Sequence, residues 1–273
     1  MNSLFNDYKK FERIIKNNDE SLMYIDVSGE SELNPTTVLP LLCESNKRNL
    51  PILLNKNINN TVRNILQDEV LSNNVPFLKL PFSSKESQKR QLSDKISQKI
   101  NPLYGGGYTL RYIFSELIYN IYSHTPFDKK FATQGYAYAK EYSNNVLDIC
   151  IMDDGLSIPG RFRKSGKFFE DDCHAIEMAI SNNSTISDDG YERGNGLWST
   201  LKLVVEKNGG KALIISNNGC LDIINKEKYK YSILDNSNIF NGTLISLRLN
   251  KCEIQNFHDS IFQFGKNPYK YWR

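Results

Sequence analysis

The stretch LDICIMDDGLSIP, residues 147–159, decides how this chain is read. Apolar residues with strand periodicity run directly into Asp153, Asp154 and Gly155. A strand ending in Asp-x-Gly has definable chemistry. Its carboxylate can accept a hydrogen bond from an exocyclic amine, and glycine lets the backbone approach a planar ring that a β-carbon would obstruct. A charge-assisted bond of this kind is worth about 1.5–3 kcal/mol, enough to prefer an amine-bearing adenine over a keto-bearing guanine. Asp-Gly also makes ordinary strand-terminating turns, so the flanking segments must decide.

Upstream, SELIYNIYSH (115–124) carries Glu116, Asn120 and His124 at intervals of four, on one helical face, with Ile113, Leu117 and Ile121 opposite. A carboxylate and an amide placed so can orient a water and hold Mg²⁺, which takes oxygen ligands and keeps waters. A solvated polar face is the other reading. Downstream, ERGNGLWSTLKLVVE (192–206) sets Gly194 and Gly196 ahead of an apolar-periodic helix. Backbone N–H groups at such an opening cradle phosphate. No Lys-Ser/Thr of a Walker A loop follows and no strand precedes, which disfavours two common nucleotide folds. Arg193, beside Gly194, offers charge for phosphate; Arg161, Arg163, Lys164 and Lys167 offer more, or are surface cations. Gly242 and Thr243 open the last strand, where a hydroxyl can sit beside a base.

The rest of the chain sets bounds. Its 273 residues suit two cores. Hydrophobic residues at 40% and charged residues at 24% match a globular chain. Interspersed charge, net +3, does not indicate nucleic acid. The five cysteines form no C-x-x-C pair and read as reduced thiols. No apolar run approaches the roughly 20 residues a bilayer requires, and the N-terminus lacks a leader-like apolar region, so a cytoplasmic location without membrane contact is expected.

Between residues 22 and 80 the runs LMYIDV, PILL and VPFLKL alternate with helical patterns at 35–47, opened by Pro35, and 60–71. Strand-helix alternation predicts a small, largely parallel sheet. Leu92, Ile96 and Ile100 predict a linking helix with one narrow buried side, followed by a flexible YGGGY. The second unit reads as a helix over 109–124, strands over 135–142 and 146–152, a short helix over 173–180, a helix over 196–207, and strands over 211–216, 221–224 and 243–249. The fold class is α/β in two domains: 1–82, a helical linker 83–107, a nucleotide-binding unit 108–250 and a tail 251–273.

ELIYN, DDGLSI, RGNGL and GT resemble, in order and spacing, the N, G1, G2 and terminal Gly-Thr boxes of the GHKL superfamily, which includes gyrase, histidine kinases and a mismatch-repair ATPase. The resemblance covers about residues 108–249. It implies a Bergerat-type α/β sandwich, a mixed sheet with helices on one face, binding ATP and Mg²⁺. It implies Glu116 as general base or water-orienting residue, Asn120 as the Mg²⁺ ligand and Asp153 on the adenine amine. It implies further that Gly155, Ser157, Ile158, Gly194 and Gly196 shape the nucleotide loops, that Leu197 starts the phosphate-side helix and that Thr243 lies near the base. Ser157 stands where a second G1 glycine is usual, and Trp198 is bulky beside the phosphate loop. Residues 159–193 would form the mobile lid.

YIDVSGESELNPTTVLPLL (24–42) and LPILLNKNINNTVRNILQDEVL (50–71) are similar to STAS-type domains, the anti-anti-sigma regulators. Where that family carries an Asp-Ser phosphoacceptor pair this chain reads Asn34-Pro35-Thr36, leaving Thr36 as the hydroxyl in register.

The two resemblances imply a regulatory protein partner for an ATP-hydrolysing switch or a protein kinase; a nucleotide-sensing module without turnover is the alternative, and a homodimer is left open. The histidines are His124, His174 and His258, so none precedes the nucleotide-binding unit as a histidine kinase's acceptor normally would.

Overall fold

The computed structural model describes residues 2–18, 22–69, 71–81, 86–124, 134–181, 196–235 and 240–263. The chain opens with α1 (Leu4–Asn17), capped where Ser3 accepts from the Asn6 amide, 3.1 Å. Its Leu4, Tyr8, Phe11 and Ile15 recur at helical spacing and are all buried. β1 (Ile25–Val27), α2 (Pro35–Arg48), β2 (Ile52–Leu54) and α3 (Asn60–Leu66) follow. Pro35 begins α2 as expected, and left-handed Asn49 (φ 53°) ends it. β1 and β2 pair in parallel. α3 stops short of 71, because Asp68 turns into the left-handed region.

β3 (Phe77–Lys79) corrects the parallel-sheet expectation. It leaves β1 and β2 and pairs antiparallel with β4 (Gly135–Tyr142). Its side chains explain the choice: Phe77 stacks on Tyr136, while Leu78 packs with Ile96 and Ile100 on the opposite side, so both faces need cover. Extending the large sheet gives both, and satisfies the backbone of β4's edge.

α4 (Glu86–Ser97), the linking helix, packs against α5 (Gly107–His124) and is tied to it by the Asp94–Arg111 ion pair. Then come β5 (Val146–Asp153), α6 (Ile158–Lys164), α7 (Asp172–Ile180), α8 (Gly196–Leu201) continuing as a π-helical segment Lys202–Lys207, β6 (Lys211–Ser216), β7 (Gly219–Asn225), β8 (Lys228–Ile233), β9 (Thr243–Asn250) and α9 (Phe257–Gln263). The large sheet runs β3-β4-β5-β9-β6-β7-β8. Every neighbouring pair in it is antiparallel, so the mixed sheet expected from the resemblance is not the observed pairing. The α/β class stands.

Helices also cover both faces of the sheet rather than one. Tyr136, Tyr138, Cys150, Met152, Leu213 and Ile215 pack with α1 and α2. Ala137, Ile149, Ile151, Ala212, Ile214, Ile245 and Leu247 pack with α4, α5 and α8. The two-residue period of the strands thus assigns Asp153, Thr243 and Ser216 to the α5/α8 side.

Candidate nucleotide site

One row of residues crosses the end of three adjacent strands. Asp153 of β5 lies opposite Thr243 of β9, and Thr243 lies opposite Ser216 of β6. Asp153 is only 3% exposed, and its Oδ1 accepts from the Gly155 amide at 3.0 Å, which closes the Asp-x-Gly turn. The Ser216 and Thr243 hydroxyls are 2.9 Å apart, and Ser216 Oγ also accepts from the Ile158 amide at 2.9 Å. Gly242 passes so close that a β-carbon there would lie 1.8 Å from the Asp153 carbonyl oxygen. The Gly-Thr pair therefore has a packing reason: glycine allows the approach and threonine enters the row.

Ser157 does something the sequence reading missed. Its hydroxyl accepts from the Gly160 amide at 3.1 Å and caps α6, with Pro159 in the first turn. The expected lid thus begins as two helices, α6 and α7, joined by the Arg163–Asp172 ion pair at 2.9 Å. Arg163 is committed there, and Lys167 lies over the Phe162 ring at 5.1 Å. Arg193 and Gly194 lie outside the described residues, as does the rest of the lid beyond Ser181.

A second group sits on the same side of the sheet. Glu116, 5% exposed on α5, presses against Gly196 at the opening of α8: a β-carbon at Gly196 would meet Glu116 Oε2 at 1.8 Å. Asn120 follows one turn later and is half-buried. Tyr112, one turn earlier, places its hydroxyl 2.7 Å from Ser199 Oγ and within hydrogen-bonding reach of Glu116. Leu197 lies in the first turn of α8, with its side chain buried in the core under the sheet. Trp198 turns away to pack beside Tyr112, Leu203, Ile254 and Phe257, which accommodates its bulk.

Behind the Asp153 turn, Asp154 faces α2. It accepts from the Gln134 amide at 2.5 Å and lies beside Cys43, while burial pushes its carboxyl above the ordinary carboxylate range. Burial, with Asp154 nearby, also pushes the Cys43 thiol up. Asn46 donates to the Tyr136 hydroxyl at 2.9 Å, and Tyr136 donates to Gln134. Neither Ser216 nor this α2 contact carried a sequence signal, since both depend on register between distant segments. Thr36 is fully buried with its hydroxyl 2.7 Å from Ser246 Oγ, so the packed fold does not present it for phosphorylation.

Among the described residues no His/Cys/Asp/Glu cluster has the makings of a metal site, and no helix is long and apolar enough to cross a membrane. His174 Nδ1 accepts from the Glu170 amide at 3.0 Å, and His258 packs on Tyr108 and Phe257. A cleft of about 260 Å³ between α1 and β1 is lined by Arg13, Asn18, Asp26 and Glu30, none of them expected site residues.

No family model matches the chain, and no curated protein does. Among solved structures, the mycobacterial sensor histidine kinase MprB is similar over 54% of this chain and 74% of its own, with 17% identity and a TM-score of 0.31. Likeness at that level does not define a shared fold, so the site's own geometry is what bears on function.

Proposed function

We propose that this chain binds Mg²⁺-ATP in a GHKL-type site and serves as a regulatory ATP-dependent enzyme, with Glu116 acting on the attacking group, a water or a hydroxyl of a regulatory protein. One observation carries the reading: Glu116 lies against the opening of α8 on the same side of the sheet as the Asp153–Thr243–Ser216 row. The donor set suits the ligand. Asp153 supplies an acceptor for an exocyclic amine and Thr243 and Ser216 supply hydroxyls beside it. Mg²⁺ keeps waters and phosphate oxygens, so Asn120 alone is a sufficient protein ligand. When bound, the ion would neutralise charge on the phosphates. Glu116, held out of bulk water, orients the attacking oxygen and takes its proton. On this reading the cytoplasmic N-terminal unit, STAS-like in sequence, carries the signal to the partner.

Titration with ATP, ADP and GTP, with and without Mg²⁺, tests the pocket. ATP binds in preference to GTP, and Asp153→Ala weakens ATP by about ten- to hundred-fold, the worth of a charge-assisted bond. Preference for GTP, or an Asp153→Ala protein that binds as before, would reject it. With γ-labelled ATP, Glu116→Ala lowers phosphate release or partner labelling by about 10²–10⁴-fold while binding persists. Bound ATP that is never turned over by the wild-type chain would instead indicate a nucleotide sensor.

A further inference from the structure

We propose that Tyr112 is the positioning residue for Glu116, and that the C-terminal segment around α9 sets its place. The inference rests on Glu116 being the group that acts on the attacking oxygen. A glutamate side chain has several rotatable bonds, and turnover depends on holding it within a fraction of an ångström. Gly196 closes one side of the carboxylate. From the preceding turn of α5, Tyr112, a residue only 1% exposed, brings its hydroxyl, with Ser199 Oγ at 2.7 Å on the other side. Ser199 Oγ is in turn 3.1 Å from the Gly196 carbonyl oxygen.

These groups form one row: carboxylate, two hydroxyls, and the first carbonyl of α8. Each hydroxyl has a single proton, so the row is polar and has a direction. With Glu116 ionised, Tyr112 donates to it and Ser199 donates to Tyr112. Once Glu116 has taken a proton it can donate to Tyr112, Tyr112 to Ser199, and Ser199 to the Gly196 carbonyl. Burial and the nearby Glu116 carboxylate hold the Tyr112 hydroxyl well above the ordinary tyrosine range, so it remains a donor at neutral pH.

The ring of Tyr112 is fixed from the C-terminal side. Phe257 meets it edge-on at 5.8 Å, and Leu203, Ile254 and Ile261 complete the cluster. The chain after β9 also clamps the entrance to α5: the Gly105 amide donates to the Cys252 carbonyl at 2.8 Å and the Ile254 amide to the Gly105 carbonyl at 3.2 Å. The YGGGY segment expected to be flexible is thus tied to the tail.

Two measurements test this. Tyr112→Phe keeps the ring and deletes the hydroxyl; kcat falls about ten-fold while KM for ATP stays within about two-fold, because the adenine end is untouched. Phe257→Leu, which keeps the hydroxyl and loosens its support, lowers kcat in the same sense. Independently of turnover, the Tyr112 ζ-carbon resonance in ¹³C-tyrosine protein, assigned by its loss in Tyr112→Phe, moves in Glu116→Gln and in Ser199→Ala. A Tyr112→Phe protein with wild-type kcat, or one losing ATP affinity in step with kcat, overturns the role. So does a resonance indifferent to Glu116→Gln. If the wild-type chain neither binds nor turns over ATP, the nucleotide reading fails by itself and the resonance still decides whether Tyr112 and Glu116 are coupled.

Discussion

Gly196 and Gly242 show how much a single absent β-carbon decides. At Gly196 a methyl group would meet the Glu116 carboxylate carbon at 2.9 Å as well as its oxygen, and the obstacle is a side-chain end that can swing aside. Gly196→Ala is therefore expected to fold, with a thermal midpoint near wild type, and, under the role proposed for Glu116, to lose turnover by about 10²-fold because that carboxylate is displaced. At Gly242 the obstacle is the Asp153 backbone, which cannot give, so the alanine variant should lose stability outright. At this scale the sequence was informative where a residue type has a restricted use. Asp153 and Gly155 followed from a strand running into Asp-x-Gly, and their turn is closed by the hydrogen bond described above. It was silent on Ser216, an ordinary strand residue until β9 lies beside it. It left Thr36 only as a hydroxyl in register, which Ser246, far along the chain, takes up.

Elements were legible where a strong local period coincided with a local stop signal. The reading of 211–216 as a strand matches β6 residue for residue, and Pro35 opens α2 where expected. α6 was passed over although its signal is local: Ser157 as cap, then Pro159. Ser157→Ala should cost about 1 kcal/mol through the lost cap, read as a lower urea midpoint with an unchanged slope. A shift far below that would mean the cap contributes little. β8 was missed because Tyr229, Tyr231 and Ile233 alternate with Lys228, Lys230 and Ser232 on an exposed edge, a pattern that reads as polar surface. β3 was found but given to the other sheet. Its short apolar run says only that it needs cover on both sides, and two sheets were available to provide it.

Across the whole molecule, the N-terminal helices are joined to the sheet by buried charge. Arg248 of β9 makes paired hydrogen bonds to Asp148 at 2.6 and 2.7 Å, donates to the Asn2 carbonyl at 2.7 Å, and lies 3.9 Å from Asp7 of α1. One guanidinium between two carboxylates leaves a surplus negative charge, and burial with Asp148 nearby pushes the Asp7 carboxyl above its ordinary value despite a hydrogen bond from Asn34. The folded chain therefore holds a proton on Asp7 more tightly than the unfolded chain. The stability this gives is present below the ordinary carboxylate range and is lost as pH rises through the raised folded value. Asp7→Asn should flatten that slope and leave the chain more stable at neutral pH, as thermal midpoints across acidic to neutral pH will show. Arg248→Ala, which strands both carboxylates, should cost about 3–5 kcal/mol by denaturant unfolding. The sequence by itself determined the α/β class, most element positions and the residue types of the candidate site, because periodicity and turn chemistry act over a few neighbouring residues. Only the tertiary structure decided that β3 joins the large sheet, that the N-terminal helices cover its second face, and that Tyr112 and Ser199 meet beside Glu116, because strand register and buried polar pairing depend on segments that chain order does not bring together.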